Sequence, residues 1–308
     1  MECRGLNADR LGAPIFRCAR FLFSGQQEVF DMETGREYMG YFSPKEMIGR
    51  YAAAGSAKCA LSTSRLLLLG VLAGLFIAMG CAVTSTAAFD LQSVSMARTV
   101  SGLLFPLGLC MVIVTGAELF TGNNLLVISL LEKQCTLKGM LRNWALAYAG
   151  NFAGALLLAA GCVYCGQIRH GAGALAVYTV KLAVNKCSMD FLSAFGMGAF
   201  CNLLVCTAVL MAMSAKDGAG RLLGAFVPIC CFITCGFEHS VANMYYIAAG
   251  MMTAGVPEYA AAAQNAGLDL SVLTVGNFLL GNLLPVTLGN LAGGAGVGAA
   301  LWFCHGKK

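Results

Sequence analysis

The chain has 308 residues, of which 58% are hydrophobic and 11% charged, with a mean hydropathy of +0.73. That balance lies outside the range of soluble globular domains and reads as a membrane protein. The net charge of +5 follows from where Lys and Arg sit along the chain, and gives no reason to invoke nucleic acid.

Residues 1–42 are polar and Arg-rich. They contain no apolar core of the kind a signal peptidase follows, and are read as a cytoplasmic extension whose own role is not legible. Ser43-Pro44-Lys45-Glu46 then opens a helix: Ser43 can cap, Pro44 suits the first turn and Glu46 completes a capping box. The stretch 43–61 mixes Ala and Gly with Lys and Arg, and is expected to lie along the cytoplasmic surface of the bilayer.

Uncharged runs long enough to cross a bilayer, about 20 residues of helix, follow from about 66 to 304. They cover 66–89, 99–131 interrupted only by Glu118, and 143–168. The second half repeats the order with 191–215, 222–257 interrupted only by Glu238, and 270–306. Six spans in two three-span halves predict an inverted repeat. Gly150-Asn151-Phe152-Ala153-Gly154 and Gly289-Asn290-Leu291-Ala292-Gly293 support it, since they relate the third span to the sixth.

Lys and Arg are concentrated before the first span, after the second (Lys133, Lys138, Arg142), after the fourth (Lys216, Arg221) and in the tail. The other side carries only Arg98, Arg169, Lys181 and Lys186. Both termini are therefore expected in the cytoplasm of a multi-pass plasma-membrane protein. Eight cysteines fall in apolar spans, where they act as small hydrophobes. Cys162 and Cys165 form a single C-x-x-C without a second pair at zinc spacing, so neither a metal nor another cofactor is expected.

The two interrupting acids carry the most information. Gly116-Ala117-Glu118-Leu119-Phe120-Thr121-Gly122-Asn123 and Gly236-Phe237-Glu238-His239-Ser240-Val241-Ala242-Asn243 align Gly116 with Gly236, Glu118 with Glu238 and Asn123 with Asn243, 120 positions apart. A carboxylate in hydrocarbon costs about 2.5–3.5 kcal/mol even on the lenient insertion scale, so equivalent placement points to broken helices around a midplane site. Glu118 and Glu238 are expected to fasten the unwound loops by accepting bonds from backbone donors freed there. Leu119, Phe120 and Thr121 then project into a conduction path, as apolar constriction and single hydroxyl. His239 lies inside the second break and can offer a hydrogen bond or a proton to an anion near neutral pH. Lys186, in the sparsely charged outer connection, would concentrate anions in a vestibule.

At these residues the chain resembles the formate/nitrite transporter family over about residues 43–306. The two break motifs carry the resemblance, together with Asn202-Leu203-Leu204-Val205-Cys206 and Pro285-Val286-Thr287-Leu288-Gly289-Asn290. The resemblance implies an all-α, aquaporin-like bundle of six spans assembled as a homopentamer, each protomer with its own pore. It implies Leu109 as the cytoplasmic-side constriction with Phe105 nearby, and Leu119 and Phe232 as central or outer constriction. It also implies His239 as the central pore histidine with Asn202 as its hydrogen-bonding partner, Thr121 as the loop hydroxyl and Lys186 as the vestibule lysine. The expected substrates are small weak-acid anions: formate first, then nitrite or hydrosulfide. A neutral-solute channel of the same architecture should carry Asn-Pro-Ala at both breaks, and neither break has it. An intramembrane enzyme would need a catalytic constellation that the spans lack.

Overall fold

The computed structural model describes residues 40–306 together with a short antiparallel pair, β1 (Phe30–Asp31) and β2 (Arg36–Glu37). Most of the extension over 1–42, and Lys307 and Lys308, lie outside the described residues.

Helix α1 (Pro44–Cys59) starts at the expected capping box, with the Glu46 amide donating to Ser43 Oγ and the Ser43 amide to Glu46 Oε2. Ile48, Tyr51, Ala52 and Gly55 are buried at helical spacing, so one face of α1 packs on the bundle. Among the described residues, six helices are long and apolar enough to cross a membrane. In order they are α2 (Thr63–Ala88), the bent pair α3 (Val94–Leu104) and α4 (Pro106–Thr115), α7 (Leu137–Tyr164), α9 (Phe191–Ser214), α10 (Gly218–Cys235) and the last span. The last span opens with a π turn over Asn277–Leu283 and continues as α13 (Leu284–His305). Pro106 removes an amide donor at the α3–α4 junction, which accounts for the bend.

Two spans are broken where the sequence places the acids. Helix α4 ends at Gly116 (φ +70°) and α10 at Gly236 (φ +77°), a left-handed conformation that glycine alone adopts without strain. The chain is extended at Leu119 and at His239, then becomes helical again: α5 (Phe120–Asn123) and α6 (Leu126–Leu131) in the first half, α11 (Ser240–Ala254) in the second.

The connection 169–190, read as a loop, contains α8 (Ala174–Cys187). It stands in the second half where α1 stands in the first, ahead of the whole span and against the broken one. The periodicity missed it because its buried face, Leu175, Ala176, Thr179, Val180, Ala183 and Val184, contacts protein and its sequence is only weakly apolar. A further helix, α12 (Pro257–Asn265), follows α11 and packs on α8.

The most extensive contacts join α2 to α7 and α9 to α13, the whole spans of each half. They cross on glycine. A Cβ at Gly74 would collide with the Asn151 carbonyl, and one at Gly289 with the Phe195 carbonyl. Small residues at such crossings let the backbones touch, the main route to helix association in lipid. Gly74→Val is expected to destabilise the fold by about 1–3 kcal/mol or more through overpacking. The check is loss of the monodisperse peak in size-exclusion chromatography of the detergent-solubilised variant, with Gly49→Val, where a Cβ meets nothing within 4 Å, as control.

Candidate functional site

Each break is held by the same set of side chains. In the first half, Lys58 at the end of α1 places Nζ 2.7 Å from Glu118 Oε1 and 3.2 Å from Asn123 Oδ1. Asn123 Nδ2 donates to Glu118 Oε2 (2.7 Å) and to Asn143 Oδ1 (2.8 Å), and Asn143 Nδ2 returns to the Lys58 carbonyl (3.3 Å). In the second half, Lys186 Nζ lies 2.9 and 2.8 Å from the two Glu238 oxygens. Asn243 Nδ2 donates to Glu238 Oε2 (2.6 Å) and to Asn282 Oδ1 (2.8 Å), and Asn282 Nδ2 to the Lys186 carbonyl (2.9 Å). The carboxylates are thus paired with lysines and asparagines; they do not take the freed backbone donors, as the sequence suggested.

Those backbone groups go to a third asparagine in each half. Asn151 Oδ1 accepts from the Phe120 amide, and its Nδ2 donates to the Gly70 and Glu118 carbonyls. Asn290 does the same with the Ser240 amide and the Gly198 and Glu238 carbonyls. A buried polar group without a partner costs about 1–3 kcal/mol. Asparagine, with an acceptor and a two-hydrogen donor on one stem, satisfies both sides of an opened helix.

The breaks meet at the centre of the bundle. His239 Nε2 and Thr121 Oγ1 are 2.9 Å apart, and both side chains are buried. His239 Nδ1 accepts from the Ala242 amide at 3.1 Å. This assigns the tautomer: the proton sits on Nε2 and is donated to Thr121, whose own hydroxyl hydrogen is left to point elsewhere. Asn202 is part of the same centre but does not bond His239. Its Nδ2 is committed to the Thr121 and Asn290 carbonyls (3.2 and 2.7 Å), so it shapes the loop that presents Thr121.

A cavity approaches this centre from either face. The one beside α1, about 530 Å³, is lined by Leu109, Val112, Leu119, Lys58, Arg50 and Arg221 among others. The opposite one, about 660 Å³, is lined by Phe232, His239, Glu238, Lys186, Lys181 and Arg98 among others. Leu109 and Leu119 therefore line the same cavity, the one beside α1. Phe232 lies across the centre, its ring 6.0 Å from that of His239. Phe105 backs Phe232 edge-on at 5.7 Å. Phe120 turns to Tyr148 of α7, edge-on at 4.9 Å. Neither of these two phenylalanines appears in a cavity wall. Lys186 lines the second of these cavities from a helix, with its charge offset by Glu238.

Sequence reasoning overlooked Lys58, counted only as a topology charge, and Asn143 and Asn282. A usable signal existed: Lys58 and Lys186 stand at the same interval as Gly70 and Gly198, the glycines of the matched spans.

The family profile Formate/nitrite transporter matches residues 45–304. The chain belongs to the formate/nitrite transporter family. It is 38% identical over 205 residues to the formate channel FocA of Haemophilus influenzae, covering 65% of this chain and 71% of that protein. It is 33% identical over 285 residues to a probable formate transporter of Methanothermobacter thermautotrophicus, covering 86% and 98%. Among solved structures, a pentameric formate channel with formate bound superposes with a TM-score of 0.69 at 32% identity, over 79% of this chain and 96% of that one. The all-α fold with six membrane-length helices and two broken spans is therefore a family fold.

The Lys58–Glu118 pair gives a stability prediction. Glu118→Gln should cost about 3–5 kcal/mol, because it leaves a lysine uncompensated at a mostly buried site, whereas Lys58→Met combined with Glu118→Gln should recover most of the loss. Thermal midpoints of the detergent-solubilised single and double variants measure it, and additive losses would mean the two residues are not coupled.

Proposed function

We propose that the protein is a homopentameric channel for small monovalent weak-acid anions, formate first, sitting in the plasma membrane with both termini in the cytoplasm. The homopentamer rests on the solved formate channel described as pentameric. The orientation rests on the asymmetry of Lys and Arg between the two sides. We read it as a transport protein and not an enzyme, from its family.

The observation that carries the reading is the Thr121–His239 bridge between two cavities with apolar inner walls. An anion entering from outside meets Arg98, Lys181 and Lys186 against one carboxylate, Glu238, so the cavity is biased positive and concentrates anions. The cytoplasmic cavity has the same bias from Arg50 and Arg221, with Lys58 offset by Glu118. Between the cavities, Phe232, Leu109 and Leu119 oppose a bare charge, because an ion stripped of water without partners is far more costly than a neutral polar molecule. Loss of solvent also raises the pKa of the weak acid, which favours its protonation on the way through.

His239 and Thr121 supply the polar contact at that point. With Nδ1 engaged by the Ala242 amide, the neutral ring carries its single proton on Nε2. It offers a hydrogen bond and has no spare proton to give. The proton that neutralises the anion then comes from water in the cavities, and His239 orients the acceptor. Phe105 acts behind Phe232, and Phe120, held by Tyr148, fixes the loop that bears Thr121. Asn202 positions the same loop, while Gly116 and Gly236 permit the breaks and Asn123 and Asn243 lock them.

Formate uptake by proteoliposomes enclosing a pH-sensitive dye, beside nitrite and hydrosulfide, tests the reading. An inward proton gradient should accelerate uptake. His239→Phe should abolish uptake without altering the oligomer, and Thr121→Ala should lower it about 10-fold, the size of one hydrogen bond. Unchanged formate flux in folded His239→Phe would overturn the role given to the histidine. Arg98→Gln with Lys181→Gln should reduce uptake at low anion concentration, with the difference shrinking as ionic strength rises.

A further inference from the structure

Tyr51 lies midway along α1, yet its hydroxyl belongs to the first break. Tyr51 Oη donates to the Gly122 carbonyl at 3.2 Å, one residue beyond Thr121. Tyr51 and Gly122 both line the cavity beside α1, together with Leu109 and Leu119. With 1% of its surface exposed, Tyr51 is as enclosed as Thr121 (0%) and His239 (3%), the residues of the central bridge. No described residue donates a hydrogen bond to the Tyr51 oxygen. The single hydroxyl hydrogen is committed to Gly122, so the phenol is left with acceptor capacity only.

The contact is not part of the repeated scaffold. The interval that relates Lys58 to Lys186 relates Tyr51 to Thr179, whose hydroxyl turns back on its own helix and donates to the Leu175 carbonyl at 2.8 Å. Nor does the loop depend on it, because the Gly122 carbonyl also accepts from the Leu125 amide at 3.3 Å. A buried hydroxyl that neither the repeat nor the loop requires is free to serve the solute.

We propose, resting on the transport reading above in which the solute crosses the apolar walls as a neutral acid, that Tyr51 determines specificity. Its oxygen accepts a hydrogen bond from the O–H of the protonated acid on the α1 side of Thr121. The two stations are complementary. His239 carries its proton on Nε2 and offers a donor to the acid's carbonyl oxygen, while Tyr51 offers an acceptor to the acid's O–H. No covalent bond changes, and the proton stays on the acid. An ionised carboxylate has no hydrogen to give, and two facing acceptors without a donor between them repel, so Tyr51 favours the neutral form. The strength of the contact follows the donor. The O–H of formic or nitrous acid is a good donor, whereas an S–H is a weak one. Tyr51 therefore separates the oxygen acids from hydrosulfide.

The test compares Tyr51→Phe with the wild-type protein, both full length and taken from the monodisperse size-exclusion peak before reconstitution. Uptake of formate, nitrite and hydrosulfide is measured in proteoliposomes with the pH-sensitive dye and corrected for protein-free vesicles. Phenylalanine keeps the ring and removes only the oxygen. Formate and nitrite uptake should fall about 3–10-fold, the range of one hydrogen bond, with hydrosulfide uptake held within about twofold. Retained hydrosulfide uptake also reports an intact pore in the variant. An equal loss for all three solutes would mean that the hydroxyl only positions the Thr121 loop, and undiminished formate uptake would mean that it does not meet the solute. Either result overturns the role of Tyr51 and leaves the transport reading standing. Wild-type protein that carries none of the three would overturn the transport reading and the role of Tyr51 with it.

Discussion

Everything at the centre of this protein depends on how two helices are broken inside a layer that offers no water. Each break opens backbone groups and introduces a carboxylate, and hydrocarbon satisfies neither. The solution is a clasp of lysine, glutamate and two asparagines, with a third asparagine spanning the opened backbone, built once from Lys58, Glu118, Asn123, Asn143 and Asn151. It is built again from Lys186, Glu238, Asn243, Asn282 and Asn290. A buried ion pair is weak evidence for stability by itself, since desolvation offsets much of the attraction. Here its weight is positional. Each lysine comes from the helix ahead of a half, so the clasp joins that helix, the broken span and the last span of the half at one point.

The repeat is close in its scaffold and unequal at its centre. Leu119, Phe120 and Thr121 of the first break correspond to His239, Ser240 and Val241 of the second. The polar residues thus fall at different steps of the two loops, and the pseudo-symmetry brings Thr121 against His239 as a single contact, 2.9 Å long. Had the two breaks been identical, the same contact would have paired threonine with leucine or histidine with valine, and no hydrogen bond would have formed there. The asymmetry produces one hydrogen-bonding step flanked by Leu109, Leu119 and Phe232, which is the arrangement a weak acid needs if it crosses apolar walls while neutral.

The cationic character of both cavities sets the other half of the chemistry. Lysines paired to break carboxylates contribute little net field, so attraction of anions falls to Arg50 and Arg221 on one face and to Arg98 and Lys181 on the other. Lys58 and Lys186 are better regarded as the fasteners of the fold that also border the path. Mechanical integrity and entry to the pore are linked through the same side chains.

Much of this architecture is written in the residue order. The uncharged runs mark six spans because each must be about 20 residues long to cross the bilayer, and the acids at Glu118 and Glu238 mark the breaks because a charge in hydrocarbon demands a special environment. Other features are set by contacts between distant segments. Helix α8 hides in a weakly apolar stretch because its stripe faces protein and not lipid. Lys58 looks like one more cytoplasmic charge until α1 folds back on the break. Asn202 sits in a family segment beside the histidine's neighbourhood, yet only the fold shows its amide taken by the Thr121 and Asn290 carbonyls. Local sequence alone determined where the chain crosses and where it must unwind, since hydrophobicity and glycine act residue by residue. Which lysine meets which glutamate, and that His239 meets Thr121, were decided only by the tertiary structure, because those partners stand 60, 52 and 118 residues apart and come together only when the helices pack.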